Sequence, residues 1–168
     1  MYEVETREVP RRSLLCLKRN VEGWADAWAF GKEFVGLLKE RALPHIEGRT
    51  GAAFCIYWGE VNDDSDGPLE WCRPVPDEDA EVLATQFPEL TLRTEPAHRE
   101  AFVNIGLGDQ TSGVEWQLVS ESLHTWGEEH GVEPNDLGVR ITYLAPPPRT
   151  EDSAPDCDFA VSFADRTS

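Results

Sequence analysis

The sequence predicts an α+β fold made of duplicated βαββ-like repeats, and three observations predict it. Segments 1–76 and 90–163 run through strand, turn, strand, aromatic-rich helix, strand, polar loop and strand in the same order. Pro10–Leu17 aligns with Pro96–Val103 and Phe54–Trp58 with Arg140–Leu144, both at an offset of 86 residues. Between them, Ala27, Phe30, Phe34 and Leu37 answer Trp116, Val119, Leu123 and Trp126 at an offset of 89, with helical spacing in both sets. A duplication of this kind sets the architecture ahead of any single motif. The expectation is one antiparallel sheet fed by both repeats, helices on one of its faces, and a ligand cleft at the pseudo-twofold seam.

The first repeat opens with an alternating, edge-like segment, Met1–Glu8, and a more continuously apolar strand, Leu14–Leu17, joined through Pro10 and two arginines. From Trp24 to Arg41 the apolar residues recur as on an amphipathic helix. Gly31 and Gly36 interrupt it, each at about 1 kcal/mol relative to alanine, and so mark close approach of helix to sheet. Strands Ala52–Trp58 and Leu69–Val75 flank a turn-rich loop, Asn62–Pro68. Residues 77–89 form an acidic connector with a helical turn around Ala80–Ala84, and residues 90–163 form the second repeat. There Glu70–Val75 is answered by Asp156–Val161 at an offset of 86, and Pro146–Pro155 replaces the acidic loop as an extended segment. The whole span 1–168 reads as a single domain.

With 168 residues, 40% apolar content and six tryptophans, the chain can fill a core. Its 32 acidic and 15 basic residues give a formal charge of -17, which repels phosphate backbones and anionic lipid and argues against direct nucleic-acid or membrane binding. Cys16, Cys55, Cys72 and Cys157 are scattered through strands without CxxC spacing and read as buried thiols. His45, His98, His124 and His130 form no HxxxH or HExxH pattern and read as surface or capping residues. No cofactor, metal site or catalytic residue is assigned. No signal-like apolar run and no stretch of 18 apolar residues occurs, so the expected location is the cytoplasm.

The Glu8-Val-Pro-Arg-Arg-Ser13 opening, the Tyr57 strand, the Glu70-Trp-Cys-Arg-Pro-Val75 strand and their second copies together resemble the GyrI-like small-molecule-binding domains, the effector-binding modules of BmrR-type multidrug regulators. The resemblance covers essentially the whole chain. It implies paired repeats around a cleft for bulky, aromatic, often cationic compounds, with a role in transcriptional sensing. With no helix-turn-helix segment in the sequence, the expected form is a stand-alone member.

Candidate cleft residues are Tyr57, Trp58, Trp71 and Tyr143 on the strands nearest the seam, with Trp24, Trp28 and Trp116 on the helix-side rim. Rigid rings offer planar ligands large contact at small entropic cost, and a ring face attracts a cation. Glu70, Asp156 and Asp158 are the candidate carboxylates, Asp156 being taken as the counterpart of Glu70. In the last strand Cys157, Phe159, Val161 and Phe163 make one face, and Asp156, Asp158, Ala160 and Ser162 the other. The family's acidic residue two positions before the second tyrosine is here Ile141, so a cation would depend on those three carboxylates. Two other classes stand beside the receptor reading. One is a hydrolase of reactive cyclopropane-bearing natural products, as some family members resemble, using Tyr57, Tyr143, Glu70 and Asp156. It ranks below the receptor reading, because no nucleophile motif accompanies it. The other is an acidic protein-interaction module resembling DNA gyrase inhibitors, with a protein partner.

Overall fold

The computed structural model describes residues 2–39, 46, 48–59, 66–105, 116–143 and 157–165. Eight strands and three α-helices follow in order: β1 (Glu5–Val9), β2 (Arg12–Glu22), α1 (Gly23–Lys39), β3 (Phe54–Tyr57), β4 (Asp66–Val75), α2 (Ala80–Gln86), β5 (Thr91–Glu95), β6 (His98–Ile105), α3 (Trp116–His130), β7 (Val132–Tyr143) and β8 (Cys157–Asp165). The class is α+β with antiparallel pairing, as the sequence predicts. Much of the expected polar loop, Asn62–Ser65, and the proline-rich Pro146–Pro155 lie outside the described residues.

The chain divides into two compact units, Met1–Val9 with His98–Ser168, and Pro10–Ala97. Each unit takes its first strand from the far side of the sequence. In the first, the strand order is β1-β6-β8-β7; in the second, β5-β2-β4-β3. The reason lies in the two short connections, Pro10-Arg11 and Pro96-Ala97. A two-residue hairpin requires positive φ at a central residue, which suits glycine and asparagine, whereas proline fixes φ near -65°. No non-glycine residue has positive φ among the described residues. The chain therefore cannot fold β1 back onto β2 there, and β1 pairs with β6 while β5 pairs with β2.

In the second unit α1 packs on β2 and β4 through Phe30 and Phe34, both fully buried. Gly31 permits this approach: a Cβ there would meet Trp71 Cζ2 at 2.9 Å. Gly36 has nothing within 4 Å, so the same argument does not extend to it. On the other face of β2, β3 and β4, Leu14, Cys16, Phe54, Ile56 and Cys72 form a buried apolar cluster, with Trp58 packed against it. Helix α2, longer than the expected turn, buries Ala80 and Leu83.

In the first unit α3 buries Val119 and Leu123 and ends on Gly131, whose φ of 65° supplies the left-handed helix stop. His130 Nδ1 lies 2.8 Å from the Trp126 carbonyl oxygen, a helix-end cap of the kind expected. Strand β7 is longer than the sequence suggests and carries a register shift between Pro134 and Val139.

The ladders also correct one alignment. Lys18 lies opposite Glu70 in the second unit, and Asn104 lies opposite Asp158 in the first. Lys18 and Asn104 are 86 residues apart, but Glu70 and Asp158 are 88 apart. Glu70 therefore corresponds to Asp158, not to Asp156, which falls outside the described residues. From Tyr57 to its partner Leu69 is 12 residues and from Tyr143 to its partner Cys157 is 14, so a constant offset of 86, which sets Trp71 on Cys157, conceals a shift of two.

Candidate functional site

Strand alternation sorts the residues of the second unit onto two faces. Cys55 lies opposite Trp71 and Tyr57 opposite Leu69, on the face that carries α1. Trp71 is buried there, stacked on Phe34 with ring centroids 5.8 Å apart. It therefore packs as core, on the face away from Glu70. Tyr57 is half-buried, and burial, assisted by Cys55, pushes its phenol far above the ordinary range.

The other face holds Glu70. Its Oε1 accepts hydrogen bonds from Trp58 Nε1 at 3.1 Å and Arg93 Nη2 at 2.8 Å, and its Oε2 accepts one from Arg93 Nε at 3.1 Å. A carboxylate offers about four lone-pair sites, so one on Oε2 stays open. Lys18, directly across the ladder, sets its Nζ 5.1 Å from the Trp58 ring centroid. Burial opposes the Arg93 charge, but the Glu70 hydrogen bond together with the electrostatic pull of Cys16, Cys72 and Glu70 outweighs it and keeps the guanidinium firmly protonated. Beneath them Cys16 and Cys72 bring their sulfurs to 3.5 Å, and Arg93 Nη2 lies 3.8 Å from Cys72 Sγ. All four cysteines are reduced and buried, as the sequence predicts.

The equivalent face of the first unit carries a denser ionic cluster. Arg7 contacts Asp158 at 2.6 Å and Glu100 at 3.0 Å, and its guanidinium carbon lies 4.3 Å from the Phe102 ring centroid. Glu100 also contacts His98 at 2.7 Å and Arg140 at 3.5 Å, while Asn104 donates to Asp158 at 2.9 Å. Burial alone would raise the Glu100 pKa, but His98, Arg7 and Arg140 hold it down at about 2. His98 is thus a buried member of a network, not the surface or capping residue expected. Asp158 is likewise fully buried and paired.

Among the other candidates, Trp28 is half-buried on α1 with Lys32 Nζ 5.2 Å from its ring centroid. Trp24 and Trp116 lie in the first turns of α1 and α3, and Tyr143 lies in β7 opposite Cys157. Of the ten residues singled out, Trp58 and Glu70 meet directly through a hydrogen bond. Sequence reasoning missed Arg7 and Arg93, although extending the offset of 86 to the first strands, Glu-Thr-Arg-Glu and Thr-Leu-Arg-Thr-Glu, places one on the other. A cavity of about 70 Å³ lies in the first unit between α3 and the sheet, lined by Leu123, Trp126, Val132, Val161 and Phe163. It includes none of the candidates, and drug-sized sites need several hundred cubic ångströms. No described helix is long and apolar enough to cross a membrane.

No protein-family model and no curated protein sequence matches the chain. Solved structures do. The C-terminal domain of EcmrR superposes with a TM-score of 0.72 over 99% of both chains at 14% identity. This chain has the fold of the EcmrR C-terminal domain. It spans 58% of the EcmrR chain in an EcmrR–DNA complex, at a TM-score of 0.71 and 15% identity. The same fold is seen in SAV2435, solved bound to tetraphenylphosphonium, at a TM-score of 0.59 and 9% identity over 96% of this chain and 94% of that one. A hydrolase from Listeria innocua matches at 0.56 and 10% identity over 97% and 92%.

Proposed function

We propose that this chain binds bulky hydrophobic aromatic small molecules, cations in preference, as the effector-sensing module of a transcriptional regulatory system. The observation that carries the reading is Glu70, a buried carboxylate hydrogen-bonded to the Trp58 indole with one acceptor position to spare. Lys18 already rests an ammonium on that ring. An aromatic organic cation that displaces Lys18 gains the ring face and the attraction of the adjacent carboxylate together, and releases the lysine to solvent. The tetraphenylphosphonium complex of SAV2435, which has the same fold, supports the same chemistry. The turnover reading draws on Tyr57 with Glu70, but these occupy opposite faces of the sheet, and the raised phenol pKa makes Tyr57 a poor base at neutral pH.

Thermal denaturation with tetraphenylphosphonium, neutral triphenylphosphine oxide and anionic tetraphenylborate tests the proposal. At a hundredfold excess over Kd the cation should stabilise by about 2.7 kcal/mol, roughly 5–10 °C for a chain of this size. The anion should give no shift. Equal shifts for all three compounds, or none for the cation, would overturn the reading, and consumption of the ligand would replace it with an enzyme.

A further inference from the structure

Cys16 and Cys72 lie directly opposite each other in the β2–β4 ladder, their sulfurs 3.5 Å apart. A carboxylate oxygen of Glu70 joins them, so that three buried donor atoms all fall within 4.8 Å of one another. We propose that Cys16, Cys72 and Glu70 form a binding site for a divalent thiophilic cation of the zinc and cadmium class.

Geometry supports this assignment first. Two metal–sulfur bonds of about 2.3 Å at a tetrahedral angle place their sulfurs roughly 3.8 Å apart. The sulfurs here are within a few tenths of an ångström of that spacing, on strands that hold them rigidly. Glu70 keeps a lone pair on Oε2 for the third bond, and Trp58 and Arg93 orient its carboxylate as outer-shell donors. The fourth position is left for water or an exogenous ligand.

Charge selects the ion. With both thiols protonated, Glu70 and Arg93 form a neutral pair. A divalent ion that displaces two thiol protons leaves two thiolates, one carboxylate, one guanidinium and the metal, which again sum to zero. A buried site is thus loaded without net charge, avoiding the large cost of isolated charge in a low-dielectric interior. A monovalent ion bound by both thiolates would leave a net negative charge, so divalent ions are preferred. Hard cations such as magnesium and calcium are disfavoured by sulfur donors. The strongly acidic surface raises the local concentration of any divalent ion. No motif announces the site because its cysteines are 56 residues apart and meet only through strand register.

The test is titration of the reduced, chelator-stripped chain with cadmium chloride, read by the ultraviolet thiolate-to-cadmium charge-transfer band and by proton release in dilute buffer. Saturation at one equivalent, with two protons released per ion, is expected. Cys16→Ser and Cys72→Ser should each weaken binding by about a hundredfold, whereas Cys55→Ser, whose thiol lies on the opposite face, should leave the band unchanged. Absence of the band in folded wild-type protein, persistence of it in the Cys16→Ser/Cys72→Ser double variant, or its loss in folded Cys55→Ser protein would overturn the proposal. Should one serine variant fail to fold, the wild-type stoichiometry and the other variant still decide. No organic ligand is present in this titration, so its failure leaves the small-molecule reading untouched.

Discussion

The two units set an arginine at the same register of an exchanged strand and surround it differently. Arg7 lies opposite Glu100, and Arg93 lies opposite Leu14. Each reaches one ladder further to a carboxylate, Asp158 in the first unit and Glu70 in the second. Around that shared pair, Glu100, Arg140 and Thr142 of the first unit stand where the second has Leu14, Phe54 and Ile56. The first unit closes its charges into a network, while the second leaves one carboxylate and one indole on an apolar bed. One scaffold thus yields a structural centre in one half and a candidate receptor in the other.

The sharpest way to break this comparison is to remove both arginines in turn. Arg7 is 13% exposed and holds two buried carboxylates, whereas Arg93 is 30% exposed and holds one. Arg7→Met should cost about 3–5 kcal/mol in urea denaturation, because it strands buried charge. Arg93→Met should cost about half as much. Equal losses would mean that the two surroundings are energetically alike.

Acid should act through the first unit. Glu100 has a folded-state pKa of about 2 against an ordinary 4.5. A carboxyl depressed on folding contributes stability that is fully present above its unfolded value and is lost as pH falls through the folded one. The window is therefore about pH 5 down to 2, and the shift corresponds to about 3 kcal/mol. Urea melts at pH 6 and pH 3 should show about 2 kcal/mol of that loss in the wild type and a clearly smaller one in Glu100→Gln. An unchanged pH dependence in the variant would contradict the assignment.

A smaller effect sharpens the second unit. Gly31→Ala improves helix propensity by about 1 kcal/mol, but its Cβ would press on Trp71 Cζ2 at 2.9 Å. The net expectation is a loss of about 1–2 kcal/mol in thermal melts, since Trp71 is buried and stacked on Phe34 of the same helix. A gain in stability would show that the indole can move aside.

Much of this was legible before the structure. The order of strands and helices followed from periodicity, and the α1 positions Phe30 and Phe34 from helical spacing. The partner of β1 was not read, although Pro10 and Pro96 carried the signal by forbidding a tight hairpin. The correspondence of Glu70 with Asp158 was missed because the spacing of paired residues, Tyr57 to Leu69 and Tyr143 to Cys157, differs by two, and composition cannot reveal ladder register. For the same reason Trp71 looked like a cleft residue and Cys16–Cys72 like unrelated thiols: face and register are decided by pairing. Trp58 with Glu70 was legible as residue types, but not Arg93, which comes from a strand 23 residues away.

Calorimetric titration of tetraphenylphosphonium into wild-type and Glu70→Gln protein tests the central contrast most directly. Removing the Glu70 charge leaves Arg93 unneutralised beside Trp58, so cation affinity should fall by about tenfold, some 1.4 kcal/mol, while triphenylphosphine oxide loses less than about twofold. Equal losses for both compounds, or a cation affinity untouched by the substitution, would contradict the account.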